Sequence, residues 1–162
     1  MLIGSLLAGT AIGQLCLFMP RLICNNIGLE DSGVEKIREG WVETVVTEDG
    51  EDEAAFISQC HYLSVAKNHL TIHGLLHLLD LVGSHRLRSL IASDNDVFLP
   101  DDPTPDNLLA QYFRTMMEER RDDFEQIRVI ELSRCNVDDH SATQASFSLD
   151  HHISLRAIDV LM

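Results

Sequence analysis

The sequence predicts a predominantly helical single domain over residues 1–162, with four to six helices and a small antiparallel β element at its C-terminal end. Three observations carry that expectation. Long stretches space their apolar residues at helical intervals, cap and stop residues bound those stretches, and only the last third breaks into short, partly alternating runs. At 162 residues and 45% hydrophobic, the chain is large enough to bury a core without a disulfide or metal staple. Neither a low-complexity tract nor an internal repeat on the order of 20–50 residues is expected.

Residues 1–20 carry no charge and are long enough to span a bilayer, and Gly9 and Gly13 form the Gly-x-x-x-Gly spacing that lets helices approach closely. No basic flank precedes the run, and Gly4, Ser5, Gly9, Thr10, Gly13 and Gln14 dilute its hydrophobicity. A helix over about residues 2–18, packed against protein, is therefore expected. A membrane anchor is the alternative, with a cleaved signal third.

After a turn at Asn25-Asn26-Ile27-Gly28, residues 31–46 predict the clearest amphipathic helix, with Val34, Ile37, Trp41, Val42, Val45 and Val46 on one stripe. Asp31 or Ser32 caps it, and Trp41, central in the stripe, is expected to be buried. Residues 47–52 read as a solvated acidic loop, because the ligand spacing of a calcium loop is missing. From 53 to 82 the apolar residues are too many for one helical face, which predicts a long central helix buried in its second half, stopped at Gly83-Ser84. Residues 93–104 form a surface loop and candidate hinge. Thr104-Pro105-Asp106 then starts a helix whose core stripe includes Leu108, Leu109, Tyr112, Phe113, Met116 and Met117. Residues 127–132, 145–149 and 153–160 supply the expected antiparallel meander.

With 26 acidic and 12 basic residues the formal charge is −14, and Lys36 and Lys67 are the only lysines. Such a field repels a polyanion, so nucleic acid binding through a general basic face is disfavoured. The cysteines Cys16, Cys24, Cys60 and Cys135 form no Cys-x-x-Cys pair, which points to free thiols in a reducing, intracellular compartment.

Histidine carries the one chemical motif. His61, His69, His73, His77 and His85 are separated by multiples of four residues, so on a helix His69, His73 and His77 share a side. Neutral imidazoles one turn apart are a common way to offer two metal ligands. The stretch His69-Leu70-Thr71-Ile72-His73-Gly74-Leu75-Leu76-His77-Leu78-Leu79 resembles the metal-binding helix of the YbeY-type endoribonucleases. That resemblance, over about a dozen residues, implies a zinc ion held by His73, His77 and His85 and a hydrolytic activity. The glutamate of a His-Glu-x-x-His protease motif is missing. The clusters Asp138-Asp139-His140 and Asp150-His151-His152 read as turn residues. Cys60 and the serines have no activating neighbour in sequence. The expected function is accordingly a non-enzymatic interaction or assembly subunit without a cofactor, bound to a protein partner or a second copy. A zinc-dependent hydrolase is the alternative.

Overall fold

A computed structural model of the protein describes residues 2–46, 53–82, 87–97, 104–119 and 128–135. The elements run α1 (Leu2–Cys16), β1 (Arg21–Ile23), α2 (Asp31–Trp41), β2 (Val42–Val46), β3 (Glu53–Ile57), β4 (Tyr62–Ser64), α3 (Ile72–Leu79), β5 (Ser89–Ile91), α4 (Thr104–Glu119) and β6 (Val129–Glu131). This is an α/β fold and not the mainly helical one expected. Its principal sheet is four-stranded in the order β1-β4-β5-β6, and every pair in it is parallel.

The differences have local causes. The helix expected over 31–46 stops at Trp41, and Val42–Val46 pairs antiparallel with Glu53–Ile57 as a hairpin. Val42, Thr44, Val45 and Val46 are β-branched, and stiffness at χ1 favours a pleated strand over a helix. The helix expected over 53–82 resolves into β3, β4 and the short α3. Only that last piece carries helix caps: the Thr71 hydroxyl accepts from the His73 N–H at 3.3 Å, and Asp80 closes the other end. The Asp31 carboxylate accepts the Thr71 N–H at 2.9 Å, which fastens the start of α3 to the start of α2. Helix α4 begins at Thr104 as expected and buries Leu109, Phe113 and Met116. The strand at Val129–Glu131 forms no meander, because it joins β5 in parallel. Residues 98–103, 145–149 and 153–160 lie outside the described residues. In the segment proposed as a hinge, Ser93, Asn95 and Val97 are buried.

Each parallel strand leads into the same turn, so the chain does repeat. Leu22, Leu63, Leu90 and Ile130 are register partners across the sheet, and all are buried. Four residues after each of them, Asn26, Lys67, Asp94 and Arg134 adopt the left-handed conformation, with φ of 55°, 57°, 58° and 56°. Backbone bonds join successive turns at equivalent places. Cys24 N–H donates to Ser64 C=O, Val65 N–H to Ile91 C=O and Ala92 N–H to Glu131 C=O, at 2.7, 2.8 and 2.9 Å. One position further into each turn than the left-handed residue stand Ile27, Asn68, Asn95 and Cys135.

The two asparagines bind the stack together from inside. Asn68 Oδ1 accepts the N–H groups of Ile27 and Leu29 from the preceding turn, and Asn95 Oδ1 accepts those of Asn68 and Leu70. Their amide nitrogens donate to carbonyls, Asn68 to Cys24 and Val65 and Asn95 to Val65 and Ala92. The Cys135 thiol donates to Ala92 C=O at 3.2 Å. Turn backbone that would otherwise be buried without partners is satisfied in this way. The repeat escapes inspection because the register partners Leu22, Leu63, Leu90 and Ile130 are 41, 27 and 40 residues apart. The β2–β3 hairpin lengthens the first interval, and the 16-residue α4 lies in the last.

Helix α1 lies against α2. Its Gly-x-x-x-Gly spacing serves this contact: a Cβ at Gly9 would collide with the Gly33 backbone, and one at Gly13 would lie 3.0 Å from the Lys36 carbonyl oxygen. Gly9→Ala is therefore expected to destabilise the fold by about 1–3 kcal/mol, as overpacking typically does. Chemical denaturation measures this, and an unchanged midpoint would show that the two helices separate freely. No helix among the described residues is long and apolar enough to cross a membrane.

Candidate functional site

Side chains alternate across a strand, so residues flanking the buried Leu22, Leu63, Leu90 and Ile130 belong to the sheet face turned away from the core. One row on that face is Arg21, Tyr62, Ser89 and Val129, and the next is Ile23, Ser64, Ile91 and Glu131. Arg21 and Ile23 are exposed, Ser64 is buried and the others are half-buried. The Arg21 guanidinium carbon sits 4.2 Å from the centre of the Tyr62 ring. Polar contacts hold neighbouring turns in register. Ser64 Oγ donates to Asn25 Oδ1 at 2.8 Å, Ser93 Oγ donates to Glu131 Oε1 at 2.9 Å, and Arg134 pairs with Asp94 at 2.6 Å.

One residue earlier in each strand runs a row of Pro20, His61, Arg88 and Arg128. The N–H groups of His61 and Tyr62 donate to Pro20 C=O, those of Arg88 and Ser89 to His61 C=O, and those of Arg128 and Val129 to Arg88 C=O. His61, Arg88 and Arg128 are exposed, and the two arginines give this rim of the sheet a cationic edge.

The histidines do not share one helix. His61 and His69 both precede α3, with the backbone N–H of His69 bonded to Leu29 C=O at 2.9 Å. His73 and His77 do lie one turn apart on α3; His73 is exposed and His77 half-buried. His77 Nε2 is 4.0 Å from Glu35 Oε1, and its Nδ1 is 3.5 Å from an Arg38 guanidinium nitrogen. With Glu39 these residues line a shallow groove between α2 and α3. His85 and the clusters at 138–140 and 150–152 lie outside the described residues. Among the described residues, no group of three or more histidine, cysteine or acidic side chains is placed to hold a metal ion.

The four cysteines are free. Burial pushes the Cys24 and Cys135 thiols up to about 11. A hydrogen bond with Cys60, reinforced by burial, holds the Cys16 thiol protonated far above the ordinary range. The same contact favours charge on Cys60, which burial opposes. Raised thiols of this kind are poor nucleophiles.

Sequence reasoning passed over the ladder residues Asn68 and Asn95 and the arginines of the rim. A signal for the first was present in the shared spacing of Leu63-x-Val65-x-x-Asn68-x-Leu70 and Leu90-x-Ala92-x-x-Asn95-x-Val97. Compared with protein-family models and with curated proteins, the chain finds no match in either.

Proposed function

We propose that the protein is a non-catalytic interaction and assembly subunit, built as a short solenoid that docks onto protein through its N-terminal end. Three of the four turns carry Asn or Cys at the position set by the spacing Leu-x-x-Leu-x-Leu-x-x-Asn/Cys-x-Leu, as in Leu87-x-x-Leu90-x-Ala92-x-x-Asn95-x-Val97, the first having Ile27 there, and so resemble leucine-rich repeats. Stacked repeats of that type create extended binding surfaces.

The exposed apolar end carries the reading. Among the described residues the large exposed hydrophobics are Ile3, Leu7, Leu15 and Phe18 on or just after α1, and Met19, Ile23 and Ile27 beyond it. Their exposures run from 41% to 77%. Taking about 200 Å² for a large side chain when free, they present on the order of 800 Å². Summed over α1, β1 and the turns that follow them, that is of the order each partner contributes to a standard protein interface, about 800 Å².

Light scattering on the purified chain tests the reading. The wild type is expected to self-associate through this end, and the Leu7→Glu/Phe18→Glu variant to run as a monomer of 18.2 kDa. A wild type that stays monomeric at high concentration and whose behaviour the variant leaves unchanged would sink the proposal. The free thiols support a reducing compartment. The zinc hydrolase reading has less support, since a cation on His77 would face the Arg38 guanidinium.

A further inference from the structure

We propose that the cationic rim of the parallel sheet binds an acidic peptide segment of a partner protein, through Arg21, Arg88 and Arg128 with His61 between them. This surface adjoins the apolar end at Arg21, which lies between Met19 and Ile23, and the inference goes beyond the assembly role.

The argument begins with an arrangement that folding alone does not favour. Arg88 and Arg128 occupy equivalent positions immediately before the neighbouring strands β5 and β6, their backbones joined by a bond of 2.8 Å from Arg128 N–H to Arg88 C=O. Adjacent strands are about 4.8 Å apart, and like charges placed side by side across strands oppose pairing. His61 continues the row just before β4, and Arg21 stands on β1 one register position further along, on the alternate face at the same rim. All four are exposed. In a chain with 26 acidic and 12 basic residues, general surface charge does not account for three arginines at one sheet edge. A carboxylate bridging two guanidiniums would turn the repulsion into attraction, since the planar fork matches a carboxylate in two-point contact.

The neighbouring rows favour a peptide over other anions. Arg21 is held over the Tyr62 ring, which orients its guanidinium before any ligand arrives. Tyr62, Ile91 and Val129 are half-buried beside it and offer apolar contact to the side chains of an extended segment. Among the described residues of this face the acid is Glu131, which already accepts from Ser93 Oγ. A long polyanion would meet the repulsion of a chain carrying −14 overall, whereas a short acidic segment meets only the rim.

The test is fluorescence anisotropy of a labelled hexaglutamate peptide with the full chain, alongside hexalysine and glycine-serine peptides, at low and at physiological salt. Hexaglutamate is expected to bind in preference to both, and more weakly as salt rises. Arg88→Glu/Arg128→Glu is expected to cut its affinity by about tenfold or more. Arg88→Gln/Arg128→Gln, which relieves the repulsion and should melt no lower than wild type, provides the same test if charge reversal disturbs folding. Leu7→Glu/Phe18→Glu is expected to leave peptide binding intact, so the two proposals fail separately. Hexaglutamate binding no tighter than the neutral peptide, or unchanged in both arginine variants, would overturn the inference. Tighter binding of a single-stranded oligonucleotide would overturn it in favour of a phosphate ligand.

Discussion

Replacing Asn68 with alanine is expected to lower the stability of the fold by about 2–6 kcal/mol, because two backbone N–H groups lose their acceptor at a cost of roughly 1–3 kcal/mol each. The groups are those of Ile27 and Leu29, which donate to Asn68 Oδ1 at 3.0 and 3.1 Å. Asn68 is 3% exposed, so little water reaches the gap. Asn68→Asp keeps the acceptor but sets a carboxylate against the Cys24 and Val65 carbonyls that now accept from the amide, so it does not rescue. Asn95→Ala is expected to cost a similar amount, since Asn95 Oδ1 serves Asn68 and Leu70 in the same way. Urea denaturation followed by circular dichroism measures all three. Losses under about 1 kcal/mol would mean that the turns hold together without the ladder.

Trp41→Ala is the second large effect, with an expected loss of about 3–5 kcal/mol. Trp41 is fully buried at the end of α2, where the chain leaves the helix for β2, and its carbonyl accepts the Ser58 N–H at 3.0 Å. It is also the single tryptophan of the chain, so its emission gives an independent readout. The native protein should emit at short wavelength and shift to the red on unfolding. Native emission at the wavelength of free tryptophan, or an unchanged melting midpoint in the variant, would contradict this packing.

Part of this architecture was legible without coordinates. The start at Thr104 and the stripe of Leu109, Phe113 and Met116 identify α4, and the uncharged run identifies α1 as a helix packed on protein. In both, the informative residues are three or four apart and act within one element. The stripe from Val34 to Trp41 is equally local, but extending it to Val46 let periodicity outweigh β-branching. Between 53 and 82 the ambiguity is intrinsic. Leu63, Val65, Leu70, Ile72 and Leu75 suit a buried helix, yet they equally suit a strand, a turn and a short helix.

The expectation that His69 shares a helical side with His73 and His77 failed for a related reason. A four-residue period brings imidazoles together only where the backbone is helical, and α3 starts at Ile72, after His69. The cationic rim was hidden in a different way, because Arg21, Arg88 and Arg128 are scattered singly in sequence and meet only across the sheet.

The helical stripes, the charge of −14 and the burial of Trp41 are written in composition or in neighbours a few residues apart, which is why they could be read without coordinates. That four short strands are parallel, that Asn68 and Asn95 lock successive turns and that arginines far apart in sequence meet at one rim became visible only in the folded chain. Parallel pairing joins residues 27 to 41 positions apart through backbone groups common to every amino acid, so its register is written in no local pattern. The side chains that satisfy such a ladder acquire their meaning only when a neighbouring turn presents its N–H groups to them.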